Sequence, residues 1–299
     1  MSEQPIPGLP VILFAEVCDR GTMRQENQDS VLHVQIPLGE LLIVADGIGG
    51  YTGGAVASRK VVENFYTHMS SLPADYSGEN AIREAAARAN AEIVAAASTP
   101  DSPHQQMGST IVVALLQQYA DGSYAWVGHV GDSRAYLVRA GQLHRLTTDH
   151  SAVQDLLSHD LITKEEAQRH PDSSVLTRSL GLKPEVEIDI EQHPLAAGDT
   201  LLLCSDGLWR FVPEREIQKV METPGLTLEA AARNLLELGL AAGGHDNIGI
   251  EMARLIPPTN DARRLHQTEN YVALKVVIAM LLVAFAALCV LIYLTFFNY

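Results

Sequence analysis

The chain has 299 residues, 36 acidic against 21 basic side chains and a formal charge of -15. Duplex nucleic acid is held by neutralising phosphates, so this balance excludes a nucleic-acid binder and gives no attraction to an anionic membrane surface. The three cysteines, Cys18, Cys204 and Cys289, are too far apart for a zinc site or a disulfide framework and suit a reducing compartment.

Residues 1–10 form an N-terminal extension without the basic and apolar regions of a signal peptide. The apolar run 11–17 predicts a first strand, and 18–30 is a polar connection. Runs 31–36 and 40–45 predict a strand pair around Pro37-Leu38-Gly39. A helix follows over 55–69, with Val56, Val61, Val62, Phe65 and Tyr66 as its apolar stripe, and an alanine-rich helix over 79–97. Strands at 109–116, 124–130, 135–139 and 142–146 are separated by Asp121-Gly122, Gly131-Asp132 and Ala140-Gly141, the pattern of an antiparallel meander. A short helix is predicted over 151–158, and Thr163-Lys164-Glu165-Glu166 is a capping box opening another. Strands at 185–190 and 199–204, helices at 213–221 and 226–240 and a strand at 248–255 complete the domain.

Many strands, with two helices early and two late, predict an α+β domain over 11–255, a β-sandwich with helices on its outer faces. A linker is expected over 256–274 and a transmembrane helix over 275–297. From Val276 to Phe297 the sequence is almost wholly apolar and uncharged, long enough to span a bilayer. Arg263, Arg264 and Lys275 precede it, so the expectation is a single-pass protein of the inner (cytoplasmic) membrane with its domain facing the cytoplasm.

Two apolar runs end alike. Leu41-Leu42-Ile43-Val44-Ala45 meets Asp46-Gly47-Ile48-Gly49-Gly50, and Leu201-Leu202-Leu203-Cys204-Ser205 meets Asp206-Gly207-Leu208-Trp209. Each places a carboxylate at a strand end beside glycines that let backbone approach a ligand. Asp29, Asp132, Asp149 and Asp246 also stand at turns or beside glycine. If such corners converge, the carboxylates repel one another unless a cation neutralises them, and hard oxygen ligands favour magnesium or manganese. A paired metal site activates a water and directs it at phosphorus. Arg24 is a candidate clamp for the phosphate, because its planar fork suits two phosphate oxygens.

The ordered series Arg24-Gln25-Glu26-Asn27-Gln28-Asp29, Val44-Ala45-Asp46-Gly47-Ile48-Gly49-Gly50, Gly108-Ser109-Thr110, Val130-Gly131-Asp132-Ser133-Arg134-Ala135-Tyr136, Leu146-Thr147-Thr148-Asp149-His150-Ser151, Leu176-Thr177-Arg178-Ser179-Leu180-Gly181, Cys204-Ser205-Asp206-Gly207-Leu208-Trp209 and Gly244-His245-Asp246-Asn247-Ile248 closely resembles the metal-dependent serine/threonine protein phosphatases of the PP2C type, bacterial branch. The resemblance covers roughly residues 11–253. It implies a four-layer α-β-β-α sandwich of two antiparallel sheets flanked by helix pairs, with two catalytic manganese or magnesium ions and a third, weaker one. It implies that Asp46 bridges the two ions, that Gly47 binds one through its carbonyl, and that Asp206 and Asp246 complete the other. Asp29 would orient water, Arg24 would hold the phosphate, and Asp132 with Asp206 would form the third site. Residues 151–175 would be a mobile flap affecting substrate access.

The departures are Gln28 where many members have Glu, Ile48 for a common Met, and Arg210 after Trp209 where an acid is frequent. The implied activity is hydrolysis of phosphoserine and phosphothreonine in proteins, with phosphoproteins and a Ser/Thr kinase as partners. A water in the site or one of His33, His129 and His150 could protonate the leaving oxygen, and the sequence leaves both open. The alternatives are a phosphohydrolase of small phosphoesters and a membrane-tethered pseudophosphatase that binds phosphoproteins; intact Asp46, Asp206 and Asp246 argue against the latter.

Overall fold

In the computed structural model, residues 10–49, 53–98, 107–167 and 169–257 are described. Strand β1 (Val11–Asp19) leads to the hairpin of β2 (Asp29–Ile36) and β3 (Gly39–Ile48), followed by helices α1 (Gly53–Ser70) and α2 (Gly78–Ala97). Next come the short β4 (Gly108–Ser109), then β5 (Ile111–Tyr119), β6 (Gly122–Val130), β7 (Arg134–Arg139) and β8 (Gln142–Arg145). Helices α3 (Ala152–Ser158) and α4 (Lys164–Ala167) precede β9 (Asp189–Leu195) and β10 (Thr200–Cys204). The last elements are α5 (Asp206–Trp209), α6 (Glu214–Glu222), α7 (Leu228–Ala241) and β11 (Ile248–Ile256). One sheet has the order β1-β11-β10-β7-β8 and the other β2-β3-β5-β6-β9, with β4 beside β3. The strand pairings are antiparallel.

Side chains of a strand alternate between its faces, and here both faces are buried. Leu41, Ile43 and Ala45 of β3 pack beneath α1 and α2, while Leu42 and Val44 meet the opposite sheet. On β10, Leu202 and Cys204 pack toward α6 and α7, while Leu201 and Leu203 face between the sheets. This is why both strands read as unbroken apolar runs rather than as alternating ones. The alanines of α2 serve close approach: Ala81, Ala85 and Ala89 are wholly buried. The helix starts at Ser77, whose Oγ accepts the Asn80 N–H at 3.3 Å and so satisfies one of the unpaired amides of the first turn.

Three expectations change. The segment from β5 to β8 is two hairpins, not one meander. The β5–β6 and β7–β8 pairs lie in different sheets, and Gly131-Asp132 is the crossover between them. The strand expected at 185–190 lies later, at Asp189–Leu195, because pairing with β6 overrides the polar side chains of Glu191, Gln192 and His193. Pro194 is tolerated there because β9 is an edge strand. The fold class is corrected to an α+β fold of two sheets and helices, and the expected transmembrane helix is unsupported: among the described residues no helix is long and apolar enough to cross a bilayer. The two longest, α1 and α2, are long enough but carry charge, with Arg59, Lys60 and Glu63 on one and Glu79, Arg83, Glu84, Arg88 and Glu92 on the other. The expected helix at 275–297, most of the linker at 256–274 and nearly all of the extension at 1–10 lie outside the described residues.

Glu251 is an exception to the apolar core. It points between the sheets, fully buried, with no hydrogen-bond partner for either carboxylate oxygen. Burial, and then the charge of Glu16 opposite it on β1, push its pKa to about 9. A carboxyl whose folded pKa exceeds its unfolded value near ~4.3 costs stability as pH rises between the two values. Glu251→Gln is therefore expected to raise Tm over wild type by an increment that grows from pH 5 to pH 9 in thermal melts. A difference independent of pH would contradict this.

Candidate active site

The strand ends at one edge of the sandwich gather the acids. Asp29 opens β2 directly across from Asp46 on β3. Ser205, one residue beyond β10, donates its hydroxyl to Asp29 Oδ2 at 2.7 Å while accepting the Gly249 N–H at 2.9 Å. That chain of bonds brings Asp206, from one sheet, beside Asp29 and Asp46, from the other. Asp246, in the turn before β11, accepts a 2.7 Å bond from Arg24. Asp132, on the sheet crossover, shares a guanidinium with Asp206: Arg210 Nη2 lies 3.1 Å from Asp132 Oδ2 and 3.0 Å from Asp206 Oδ2.

Backbone contacts fix these corners. The Thr110 N–H donates to the Asp46 carbonyl at 2.8 Å, the Asp46 N–H donates to Thr110 Oγ1 at 3.1 Å, and that hydroxyl lies 2.7 Å from Ser133 Oγ, next to Asp132. Gly47 donates its N–H to the Gln28 carbonyl at 3.1 Å, and a Cβ there would stand 2.1 Å from the Gly54 carbonyl oxygen. Only glycine fits so close to another backbone. Asn247 accepts the Gln28 N–H at 2.8 Å and donates to the carbonyls of Arg20 and Glu26 at 2.9 and 3.0 Å. The loop carrying Arg24 is thereby tied to the loop carrying Asp246.

Convergence has an electrostatic cost. Burial raises the Asp46 pKa well above the usual carboxylate range, and the charges of Asp29, Asp206, Asp132 and Asp246 each add to it. Burial likewise pushes Asp29 to about 7, with Asp206 and Asp246 contributing and the Ser205 hydrogen bond opposing. Asp132 rises to about 7 through burial and the Asp206 charge, with Arg210 opposing. Asp206 rises through burial, again opposed by Arg210. Partial burial works against the charge on Arg24, but the bond and charge of Asp246 and the charges of Asp206 and Asp46 outweigh it. Oδ1 of Asp29 is buried with no donor group aimed at it, and close contact with the Asp46 carboxyl also opposes the rise in its pKa. Carboxylates that raise one another's pKa, with one orphaned oxygen among them, are a donor set that divalent magnesium or manganese fits.

Of the residues singled out from the sequence, Arg24, Asp29, Asp46, Gly47, Asp132, Asp206 and Asp246 lie together. Arg24 is an ion-pair partner of Asp246 here, with its side chain 51% exposed. Arg210, whose pairing the sequence left uncertain, is the cation between Asp132 and Asp206. Asp149 belongs elsewhere: it takes two bonds from Arg134, at 2.9 and 2.6 Å, and that guanidinium lies 3.4 Å from the Trp209 ring centroid. Sequence reasoning missed Ser205, Asn247 and Thr110, whose only signal was adjacency to the motif acids or membership of a short motif. It also missed the grouping of His129, His150 and Asp189, whose ligand-type atoms all lie within 4.8 Å of one another. A cavity of about 1390 Å³ lies between α3–α4 and residues 209–213, lined by Arg134, Leu161 and Arg210 among others and by none of the five converging acids; Arg210 is its link to them, through Asp132 and Asp206.

A two-sheet sandwich whose strand ends converge carboxylates and an arginine on one mouth defines a hydrolytic site of the kind that handles phosphate with divalent cations. The protein phosphatase 2C family model matches residues 22–237. The serine/threonine phosphatase stp of Listeria monocytogenes is 36% identical over 236 residues, 78% of this chain and 91% of that relative. The crystal structure of the Mycobacterium tuberculosis serine/threonine phosphatase PstP/Ppp superposes with a TM-score of 0.72 at 34% identity, covering 82% of this chain and 99% of that one. The catalytic domain of PstP in complex with two manganese ions superposes with a TM-score of 0.71 at 33% identity, covering 82% and 98%. The chain belongs to the protein phosphatase 2C family of serine/threonine protein phosphatases.

Because each carboxylate destabilises its neighbours, removing one charge should stabilise the metal-free fold. The folded pKa of Asp46 lies above its unfolded value, so the penalty is absent in acid and complete at alkaline pH. In the presence of chelator at pH 8, Asp46→Asn is expected to melt several degrees above wild type. A lower Tm would show that the cluster is not self-repelling.

Proposed function

We propose that this chain hydrolyses phosphoserine and phosphothreonine in proteins at a site holding two divalent manganese or magnesium ions, with room for a third. The observation that carries the reading is the convergence of Asp29, Asp46, Asp132, Asp206 and Asp246, from separate elements, into one mutually repelling, largely buried group. Asp46, the Gly47 carbonyl, Asp206 and Asp246 would hold the catalytic pair, and Asp132 with Asp206 the third. When bound, the ions supply positive charge for the phosphoryl oxygens and lower the pKa of a water to the neutral range. Support for manganese comes from the PstP relative with two such ions.

The chain's own residues carry the rest. Asp29 is held by Ser205 through one oxygen, which leaves Oδ1 to accept a proton of a water and orient its lone pair. Arg24, half-exposed and paired with Asp246, would turn its planar fork to the phosphate oxygens. Arg210 neutralises Asp132 and Asp206 from the flap side, moderating their repulsion. The adjoining cavity gives the polypeptide on either side of the phosphorylated residue a place to lie.

Manganese-dependent assays on a phosphopeptide test this reading. Asp46→Asn and Asp206→Asn are each expected to lose at least about 100-fold in kcat, as removal of a metal-holding group does, and chelation should abolish wild-type activity. Equal activity in the wild type, the variants and the chelated enzyme would overturn it.

We further propose that the enzyme opposes a Ser/Thr kinase, since its substrates must first be phosphorylated, and that it works at the cytoplasmic face of the membrane. The support for that location is the apolar composition of 276–297. In cells carrying Asp206→Asn, phosphoserine and phosphothreonine are expected to accumulate on membrane-fraction proteins. Unchanged phosphorylation, or accumulation confined to soluble proteins, would contradict the respective part.

A further inference from the structure

His150 lies outside the acid cluster, yet it joins three parts of the molecule. Its backbone N–H donates to the Gly131 carbonyl at 2.9 Å, and the Gly131 N–H donates back to its Nδ1 at 3.2 Å. Its carbonyl accepts the Thr177 N–H at 2.9 Å. The next residue, Ser151, bridges Leu176, and Ala152 donates to the Val175 carbonyl at 2.9 Å. The excursion over 151–175 therefore closes on His150. On its far side, Nε2 lies 3.1 Å from Asp189 Oδ2, and Arg178 holds the other oxygen of Asp189 at 2.8 Å.

These partners fix the tautomer. A backbone N–H can only donate, so Nδ1 of His150 is the acceptor; Nε2 has two neighbours, the Asp189 carboxylate at 3.1 Å and the donor Arg178 Nη1 at 3.4 Å, and the shorter contact with the carboxylate places the proton on Nε2. His129 stacks on the ring, with centroids 4.6 Å apart and planes 19° apart, and its own Nε2 faces the Thr148 carbonyl at 2.8 Å. Burial lowers the pKa of both imidazoles and keeps them neutral. Ligation of a cation by His150 Nε2 would move the proton to Nδ1, against the Gly131 N–H, so that two donors would face each other. His150, bonded to Gly131 on one side and Asp189 on the other and stacked against His129, works as a clamp.

What the clamp holds is the corner carrying Asp132. Gly131 has φ +102, and a Cβ there would stand 2.6 Å from Thr110 Cγ2, so the turn cannot be stiffened by a side chain of its own. Asp132 follows, with its carbonyl accepting the Trp209 Nε1–H at 2.9 Å and its carboxylate facing Arg210 at 3.1 Å. We propose that His150 is a positioning residue for the reaction, acting through the Gly131 N–H to hold the Asp132 corner at a fixed distance from Asp206 and to tie it to the base of the 151–175 excursion. This rests on the phosphatase reading only for its consequence in turnover; the clamp itself is read without it.

The two amide side chains separate its two bonds. Asn places Oδ1 where Nδ1 of His150 lies and keeps the acceptor for Gly131, whereas Gln reaches toward Asp189 and leaves Gly131 unpaired. The readouts are hydrogen exchange of the Gly131 amide in metal-free protein, Tm, and kcat and KM on a phosphopeptide with manganese. His150→Asn is expected to keep amide protection, with kcat within about 3-fold of wild type. His150→Gln is expected to lose protection and to drop kcat by about 10-fold or more, with KM within about 2-fold, as loss of an outer-shell orienting bond does. Asp189→Asn should retain protection. Wild-type protection and kcat in His150→Gln, or equal losses in both His150 variants that follow Tm, would overturn the proposal. If the wild type proves inactive on every phosphopeptide, the function is wrong, and amide exchange still decides the clamp.

Discussion

The structure is organised by the problem of keeping several aspartates together in a poorly solvated mouth. Like charges at close range in a medium less polar than water repel by several kcal/mol at an effective dielectric constant of about 20, and burial adds to the cost of each. A fold tolerates this only if the supporting structure is stiff. Here both sheets are buried on both faces, and the acids stand on strand ends and tight turns between them. The repulsion is what makes the site receptive to cations, so the same feature that weakens the fold prepares its chemistry.

The stiffness has identifiable sources. Thr110 grips the backbone of Asp46 from both directions and touches the neighbour of Asp132, linking the two sheets across their shared edge. Ser205 performs a similar task between Asp29 and Gly249. Arg210 places one positive charge where two acids would otherwise face each other unscreened. Each is a short polar link whose loss would let one carboxylate drift relative to the others. Glu251 is a second buried carboxyl, between the sheets, whose pKa burial and the facing Glu16 push up to about 9.

Much of this was legible in the sequence, because the acids stand in local patterns: an apolar run, then Asp-Gly. The strands 41–45 and 201–204 were readable because sandwich strands buried on both faces are continuous apolar runs. Helix α2 was readable from its alanines, and the five acids that converge, Asp29, Asp46, Asp132, Asp206 and Asp246, each stood in a local motif. What stayed hidden was nonlocal. Whether Gly131-Asp132 turns a hairpin or crosses between sheets depends on which strands pair, and no local pattern states that. The late start of β9 was concealed because Glu191, Gln192 and His193 are polar and only the partner strand draws them into the sheet. The roles of Ser205 and Asn247 were hidden because they consist of bonds to residues far along the chain. The expected span at 275–297 came from composition, and the described helices are charged ones that pack on sheets.

The account stands or falls on where cations bind. A crystal of the full chain soaked in manganese, measured at the manganese absorption edge, locates them without reference to turnover. Two anomalous peaks beside the Asp46 carboxylate, one near the Gly47 carbonyl and the other near Asp206 and Asp246, are expected. Peaks at His129, His150 and Asp189 with none beside Asp46, or none anywhere at saturating manganese, would contradict it.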